Sequence, residues 1–207
     1  MKEKNQTGIV PEQDSGFSLK TEKAITLQTE RDALSFFRTV RKRLLDVNNW
    51  KNLAGDFSAE FQVTNEKGYP VKSEVYKGCY FRIDIPGPGT KSGQGYDWVN
   101  VEEVKEVTEP GMESLGIRVR PAPSPGKSQG DTSHFYDADA TSNFIVTREG
   151  KKITAAVYDR NVKPNVEAST VTDKIRDAVV GSAGIAVFSK LQWSNLVDGL
   201  LKYPHAK

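Results

Sequence analysis

The side chains best suited to chemistry cluster in the run Gly130-Asp-Thr-Ser-His-Phe-Tyr-Asp-Ala-Asp139, where His134 stands among Asp131, Asp137 and Asp139. Oxygen and nitrogen donors this close together could hold a metal ion. The spacing argues against it. Taken as a calcium loop opening at Asp137, the run would have Ser142 at the sixth position, where glycine is required, and Arg148 at the twelfth, where glutamate is required. The other histidine, His205, stands beside the C-terminus, so a zinc site lacks a second fixed imidazole. The segment reads as a solvated polar loop, with no metal and no cofactor expected.

The second candidate is Pro86-Gly-Pro-Gly-Thr-Lys-Ser-Gly-Gln-Gly95, whose successive backbone N–H groups could cradle a phosphate. A nucleotide loop needs glycine immediately before its lysine and a helix after it, whereas Thr90 precedes Lys91 and a strand pattern, Tyr96 to Val101, follows. A dinucleotide fingerprint fails for want of the same helix. The stretch reads as a mobile hairpin loop. The adjacent Glu102 and Glu103 point to opposite faces of a strand unless it is bulged, so their cooperation as acid and base cannot be presumed. No nucleophile-elbow pattern accompanies the serines. Arg118 and Arg120 share an outward face, which suits solvation or a surface anion contact. Cys79 is the sole cysteine and lies in an apolar alternating run, where a buried thiol acting as a small hydrophobe is expected.

The 207 residues suffice for one domain with an ample core, and the 29 basic side chains nearly balance the 27 acidic ones. No global field marks nucleic acid as a partner. The opening MKEKNQTGIVPEQDSG has no apolar run behind its lysines, which predicts neither a secretory signal nor an anchor and hence a cytoplasmic protein. The longest uncharged stretch, Ala178 to Phe188, is far short of the roughly 20 residues a membrane span needs, so no membrane insertion is expected.

The elements that must position these side chains follow from periodicity. Residues 1–20 are polar and aperiodic and read as a disordered tail, followed by a single domain over residues 21–207. A short strand spans Ala24 to Thr29. Thr29 with Asp32 forms a capping box that opens a helix with Leu34, Phe37, Val40 and Leu44 on one face. A second short helix around Trp50 and Leu53 ends at Gly55. Period-two alternation then marks strands at Phe57 to Thr64, Cys79 to Ile85, Val99 to Val107 with a bulge at Glu102 and Glu103, and Leu115 to Arg120. Two more strands, Asn143 to Arg148 and Lys152 to Asp159, are joined by the Glu149-Gly150 turn, and His134 to Ala140 could extend the first of them. A second cap at Thr170 and Asp173 opens a helix of about thirty residues that Pro204 stops. Within it Gly181 and Gly184 each cost about 1 kcal/mol against alanine, so close packing on the sheet or room for a ligand must compensate.

The order strand, two short helices, six strands, long C-terminal helix resembles the helix-grip fold of the SRPBCC superfamily, the START and Bet v 1-like proteins. The likeness is one of topology and spans Ala24 to Lys202. It implies an α+β fold in which a curved antiparallel sheet of about seven strands wraps a long helix and encloses space for an apolar small molecule. The glycine-rich loop of the plant allergen branch is absent after the second strand, where Asn65-Glu-Lys-Gly-Tyr-Pro stands, and the cyclase signatures do not map, so no functional residue carries over. Inward parity and the helix glycines make Phe61, Phe81, Ile83, Val99, Ile117, Val119, Phe144, Gly181, Gly184 and Phe188 the candidate lining of the cavity. The expected function is binding of a hydrophobic or amphipathic molecule there. Two alternatives stand beside it. One is a cyclase- or hydrolase-like enzyme using Tyr158, Asp97 or Glu103 in the same cavity. The other is a ligand-free interaction domain presenting exposed Trp98, Tyr80 and Tyr96.

Overall fold

The computed structural model describes residues 5–55, 58–85, 93–126, 132–165 and 182–203, the last stretch with side chains from residue 187. In chain order the elements are β1 (Phe17–Thr26), α1 (Glu30–Leu45), α2 (Trp50–Ala54), β2 (Glu60–Thr64), β3 (Tyr80–Asp84), β4 (Asp97–Glu109), β5 (Met112–Pro121), β6 (Thr141–Glu149), β7 (Lys152–Val162) and α3 (Ser182–Leu200). The seven strands form one curved antiparallel sheet in the order β1-β7-β6-β5-β4-β3-β2. Every neighbouring pair except β1 and β7 is consecutive in sequence. After β1 the chain therefore passes from one edge of the sheet to the other, by way of α1 and α2, before β2 begins.

Local chemistry explains the boundaries of these crossover helices. The Thr29 hydroxyl oxygen accepts the Asp32 backbone N–H at 3.1 Å and starts α1, whose buried face is Ala33, Phe36, Phe37, Val40 and Leu44. After a 3-10 turn at Val47–Asn49, Trp50 opens α2 and its indole N–H donates to the free carbonyls of Arg43 and Leu44 at the end of α1, each at 3.2 Å. Gly55 closes α2 at φ 91°, a conformation that costs glycine nothing. The inner face of the sheet carries Phe61, Phe81, Val99, Ile117, Phe144 and Val157 into one core with Trp50 and Trp193.

The helix α3 lies against β1, β7 and α2. It buries Trp193, Leu196, Val197 and Leu200. At Gly199 the helix meets the Leu53 carbonyl so closely that a side chain there would collide with backbone. Close packing on the sheet or room for a ligand was expected at Gly181 and Gly184; Gly181 lies outside the described residues, and Gly184 falls in the opening turns of α3.

Three expectations need correction. The tail was expected to run to Lys20, but β1 begins at Phe17, and Thr7, Ile9 and Val10 are buried against the outer face of the sheet. Ile9 and Val10 pack with Ile145, Ala156 and Tyr158, outward side chains whose apolar surface would otherwise face water. Gly116 supplies the notch, since any side chain there would strike Ile9, and the Arg118 guanidinium donates to the Ile9 carbonyl at 2.9 Å. A short apolar pair flanked by polar residues carries too little periodicity to reveal such a strap. Second, residues 134–140 do not extend β6. They form a loop joined to the segment after β7 by a bridge between Tyr136 and Pro164. Third, Trp98 is buried, Tyr80 and Tyr96 are half-buried, and no exposed cluster forms from them; Tyr96 is covered by the Arg82 guanidinium, 4.5 Å from its ring centre.

Other details follow the alternating pattern. The register of β4 on β5 shifts between Val101 and Glu103, and the bulge turns Glu102 outward onto Arg118 and Arg120. Cys79 is fully buried, and burial pushes its thiol pKa upward.

Candidate functional site

The concave side of the sheet is not completely filled. A cavity of about 30 Å³ lies between the strands and α3, bounded by Phe61, Phe81, Ile83, Val99, Val119, Phe144 and Phe188, all expected from inward parity. Ile117 also points inward and is buried, but it does not line the cavity. Phe135 and Phe188 are half-buried and meet edge to face at 6.3 Å, one from the loop and one from the helix. They stand where the loop and helix come together over the space.

One end of this cavity is polar, and the loop that was expected to be solvated builds it. Backbone bonds pin the loop between three strands: Ser133 exchanges N–H and carbonyl with Ala122 and Trp98, Asp137 N–H donates to Lys163, and Asn165 N–H donates to Phe135. The Asn165 amide adds bonds to the carbonyls of Thr132 and His134, both at 3.0 Å. The fold therefore draws His134 and Tyr136 inside, leaving them 5 % and 2 % exposed. The aromatic triplet His134-Phe135-Tyr136 was the signal in the sequence: three flat, largely apolar rings in a polar run can end up buried.

The polar groups at this end are mostly paired with one another. The Tyr136 hydroxyl shares a short hydrogen bond with Ser189 on α3. Gln192 Oε1 accepts the Ala59 N–H at 2.9 Å, tying α3 to the start of β2. Trp193 Nε1–H donates to Asp159 Oδ2 at 2.9 Å, while its ring packs edge-on to Phe144 at 5.0 Å. His134 Nδ1 accepts the Tyr136 N–H at 3.0 Å, and its ring stacks on Phe135 at 4.3 Å.

Burial sets the ionisation of these groups. The Asp159 carboxyl is pushed up to about 6 by burial, against the hydroxyl of Ser142, the Trp193 N–H and the charge of Arg160. Burial pushes His134 down to about 3, so the imidazole is neutral across the physiological range. Tyr136 is held well above its ordinary value by burial and the nearby Asp159 charge, opposed by Ser189. Asp159 follows Ile153, Ala155 and Val157 on the inward parity of β7, so its position was legible from the strand pattern even though its role was not.

The residues first considered for chemistry are dispersed. Tyr158 faces outward, and its hydroxyl donates to Glu22 at 3.1 Å. Glu103 pairs with Lys77 at the surface. Asp97 is buried, accepts the Phe135 N–H at 3.2 Å and is pushed by burial up to about 7, yet it does not line the cavity. Asp131 and residues 86–92 of the glycine-rich loop lie outside the described residues. Asp137 accepts the Asp139 N–H, and among the described residues no three His, Cys, Asp or Glu side chains converge as metal ligands.

A second hollow, of about 290 Å³, opens between α1 and the β4–β5 hairpin, over Phe37 and Leu115. It is the larger, but it is lined by exposed charge, in which Arg41 pairs with Glu106 and Glu113 with Arg148, and it lacks an apolar body. The smaller cavity has the chemistry of a recognition site, an apolar body with a few convergent polar groups.

No family model matches the chain, and no curated protein matches it in sequence. Solved structures do. Norcoclaurine synthase from Thalictrum flavum is 10 % identical, with 94 % of this chain and 100 % of that one covered at a TM-score of 0.37. The major latex-like protein 151 from Panax ginseng is also 10 % identical, with 90 % and 100 % covered at 0.41. A conserved protein from Geobacillus kaustophilus is 9 % identical, with 86 % and 95 % covered at 0.35. Superpositions this loose add nothing to the strand order and helix positions. Among the described residues no helix is long and apolar enough to cross a membrane. One antiparallel sheet in the order β1-β7-β6-β5-β4-β3-β2, two short helices after its first strand and a C-terminal helix across its inner face make this the helix-grip fold of the START and Bet v 1-like proteins.

Proposed function

We propose that the protein binds a small apolar or amphipathic molecule between the sheet and α3. The ligand's body would rest on Phe61, Phe81, Val99, Phe144 and Trp193, and a polar group would reach the end held by His134 and Tyr136. One observation carries this reading: the unfilled space is walled by apolar side chains but ends in buried polar groups, which cost free energy in a plain core. The size of the space sets a condition. About 30 Å³ holds roughly one water molecule, whereas small-molecule sites measure about 300–1,000 Å³. Binding must therefore be coupled to movement of Phe135 and Phe188, whose edge-to-face contact is worth only about 1 kcal/mol.

Trp193 provides the test, because its ring lines the cavity. Titration with one- and two-ring aromatic compounds, followed by tryptophan fluorescence and native mass spectrometry, is expected to show saturable 1:1 binding. Phe188→Trp, which narrows the entrance, should slow association. If the compounds leave both fluorescence and mass unchanged, the ligand-free interaction domain becomes the better account.

A further inference from the structure

We infer that His134 presents its Nε2–H as a free hydrogen-bond donor of the cavity, so that the site selects a neutral molecule with a carbonyl oxygen over one with a carboxylate or an ammonium group. This rests on the binding reading above and names the class of ligand. The tautomer follows from geometry. His134 Nδ1 accepts the Tyr136 N–H at 3.0 Å, so that nitrogen carries no proton, and the ring proton of the neutral imidazole is on Nε2. Stacking on Phe135 and contact with Tyr136 at 5.3 Å hold the ring in this orientation. The low pKa imposed by burial agrees with the neutral form.

Among the described residues the polar lining offers hydrogen-bond donors and no fixed charge. Five polar side chains line the cavity: His134, Tyr136, Ser142, Ser189 and Gln192. Tyr136 and Ser189 bond each other, and Gln192 accepts the Ala59 N–H through Oε1, which leaves its amide N–H groups as further donors beside the imidazole. Among the described residues no group accepts a hydrogen bond from His134 Nε2. A ligand that brings an acceptor oxygen supplies the missing partner. A carboxylate would supply one too, but no lysine or arginine among the described residues lines the cavity to neutralise it, and the Asp159 charge stands behind Trp193. An ammonium group offers donors only and meets a donor.

The experiment compares toluene, acetophenone, benzoate and benzylamine at neutral pH, using tryptophan fluorescence for affinity and nitrogen NMR of histidine-labelled protein for the imidazole. In the free protein His134 should show a protonated Nε2 and a bare Nδ1. Acetophenone should bind about fivefold to tenfold more tightly than toluene, as one net hydrogen bond implies, and should shift Nε2. Benzoate should bind more weakly than toluene. His134→Phe should cut the acetophenone preference by at least about twofold, leaving what the Gln192 amide supports, and His134→Asn, which can both accept the Tyr136 N–H and donate an amide proton, should partly restore it. If these variants do not fold, the tautomer and the wild-type ranking decide alone. A proton on Nδ1, equal binding of acetophenone and toluene, a preference undiminished in His134→Phe, or tightest binding of benzoate or benzylamine would each overturn the inference while leaving the cavity as a site. Failure of all four to bind, toluene included, overturns both.

Discussion

The sheet is covered on both faces, and the coverings differ in kind. On the outside, the chain's own N-terminal residues lie across β5, β6 and β7, with Ile9 seated in the notch left by Gly116 and its carbonyl held by Arg118. On the inside, α3 lies across the strands and leaves a cavity whose polar end holds His134, Tyr136 and, behind Trp193, Asp159. The outer contact joins complementary shapes. The inner one buries three ionisable side chains in a low-dielectric space, and each has its proton equilibrium displaced. A covering that serves stability alone would fill its space and avoid such groups. The contrast places the candidate site on the concave side.

The largest effect is expected at Trp193. Trp193→Ala removes a ring packed on Phe144 and Phe61 and leaves the buried Asp159 without its N–H donor. A loss of about 3–5 kcal/mol is expected from chemical denaturation. A loss below about 1 kcal/mol would mean that α3 is held chiefly from its other contacts.

The next effect is one of pH. The folded protein holds the Asp159 proton more tightly than the unfolded chain, with a pKa of about 6 against 3.8. Its contribution is therefore fully present below about pH 4 and is lost as pH rises toward 6, a fall of about 3 kcal/mol. His134 acts with opposite sign: its lowered pKa makes its contribution present above 6.5 and lost as pH falls toward 3. Asp97, raised to about 7, shares the sign of Asp159 and persists in a variant of the latter. Urea titrations from pH 4 to pH 7 should show Asp159→Asn gaining on the wild type as pH rises; parallel curves would deny that the carboxyl is buried.

The outer face should respond less. Ile9→Ala is expected to cost about 2 kcal/mol, at the low end for a buried isoleucine because a terminal strap can relax. Toluene affinity should not change. If it does, the two faces are coupled through β5 and β6. The smallest effect belongs to Ser189→Ala, which leaves the Tyr136 hydroxyl without its partner; about 1 kcal/mol in stability is expected.

Much of this architecture was legible before any coordinates. Alternation identified six strands and put Phe61, Phe81, Ile83, Val99, Val119 and Phe144 on the side where they line the cavity, because a pleated strand sends every second side chain to the same face. The Thr29 cap and the Gly55 stop bounded the first two helices, because both act through bonds and dihedrals within a few residues. The break in parity at Glu102 and Glu103 located the bulge.

What periodicity could not supply was the pairing of distant segments. Thr7, Ile9 and Val10 are buried because Gly116, more than a hundred residues later, leaves a notch for them. His134 is buried because its loop is pinned to Ala122, Trp98 and Lys163. Asp159 finds Trp193 only when α3 crosses the sheet. Which side chains face inward depends on neighbours along the chain, and is readable there. How much space they leave, and which buried polar groups share it, depends on contacts that the chain makes with itself at long range and emerges on folding.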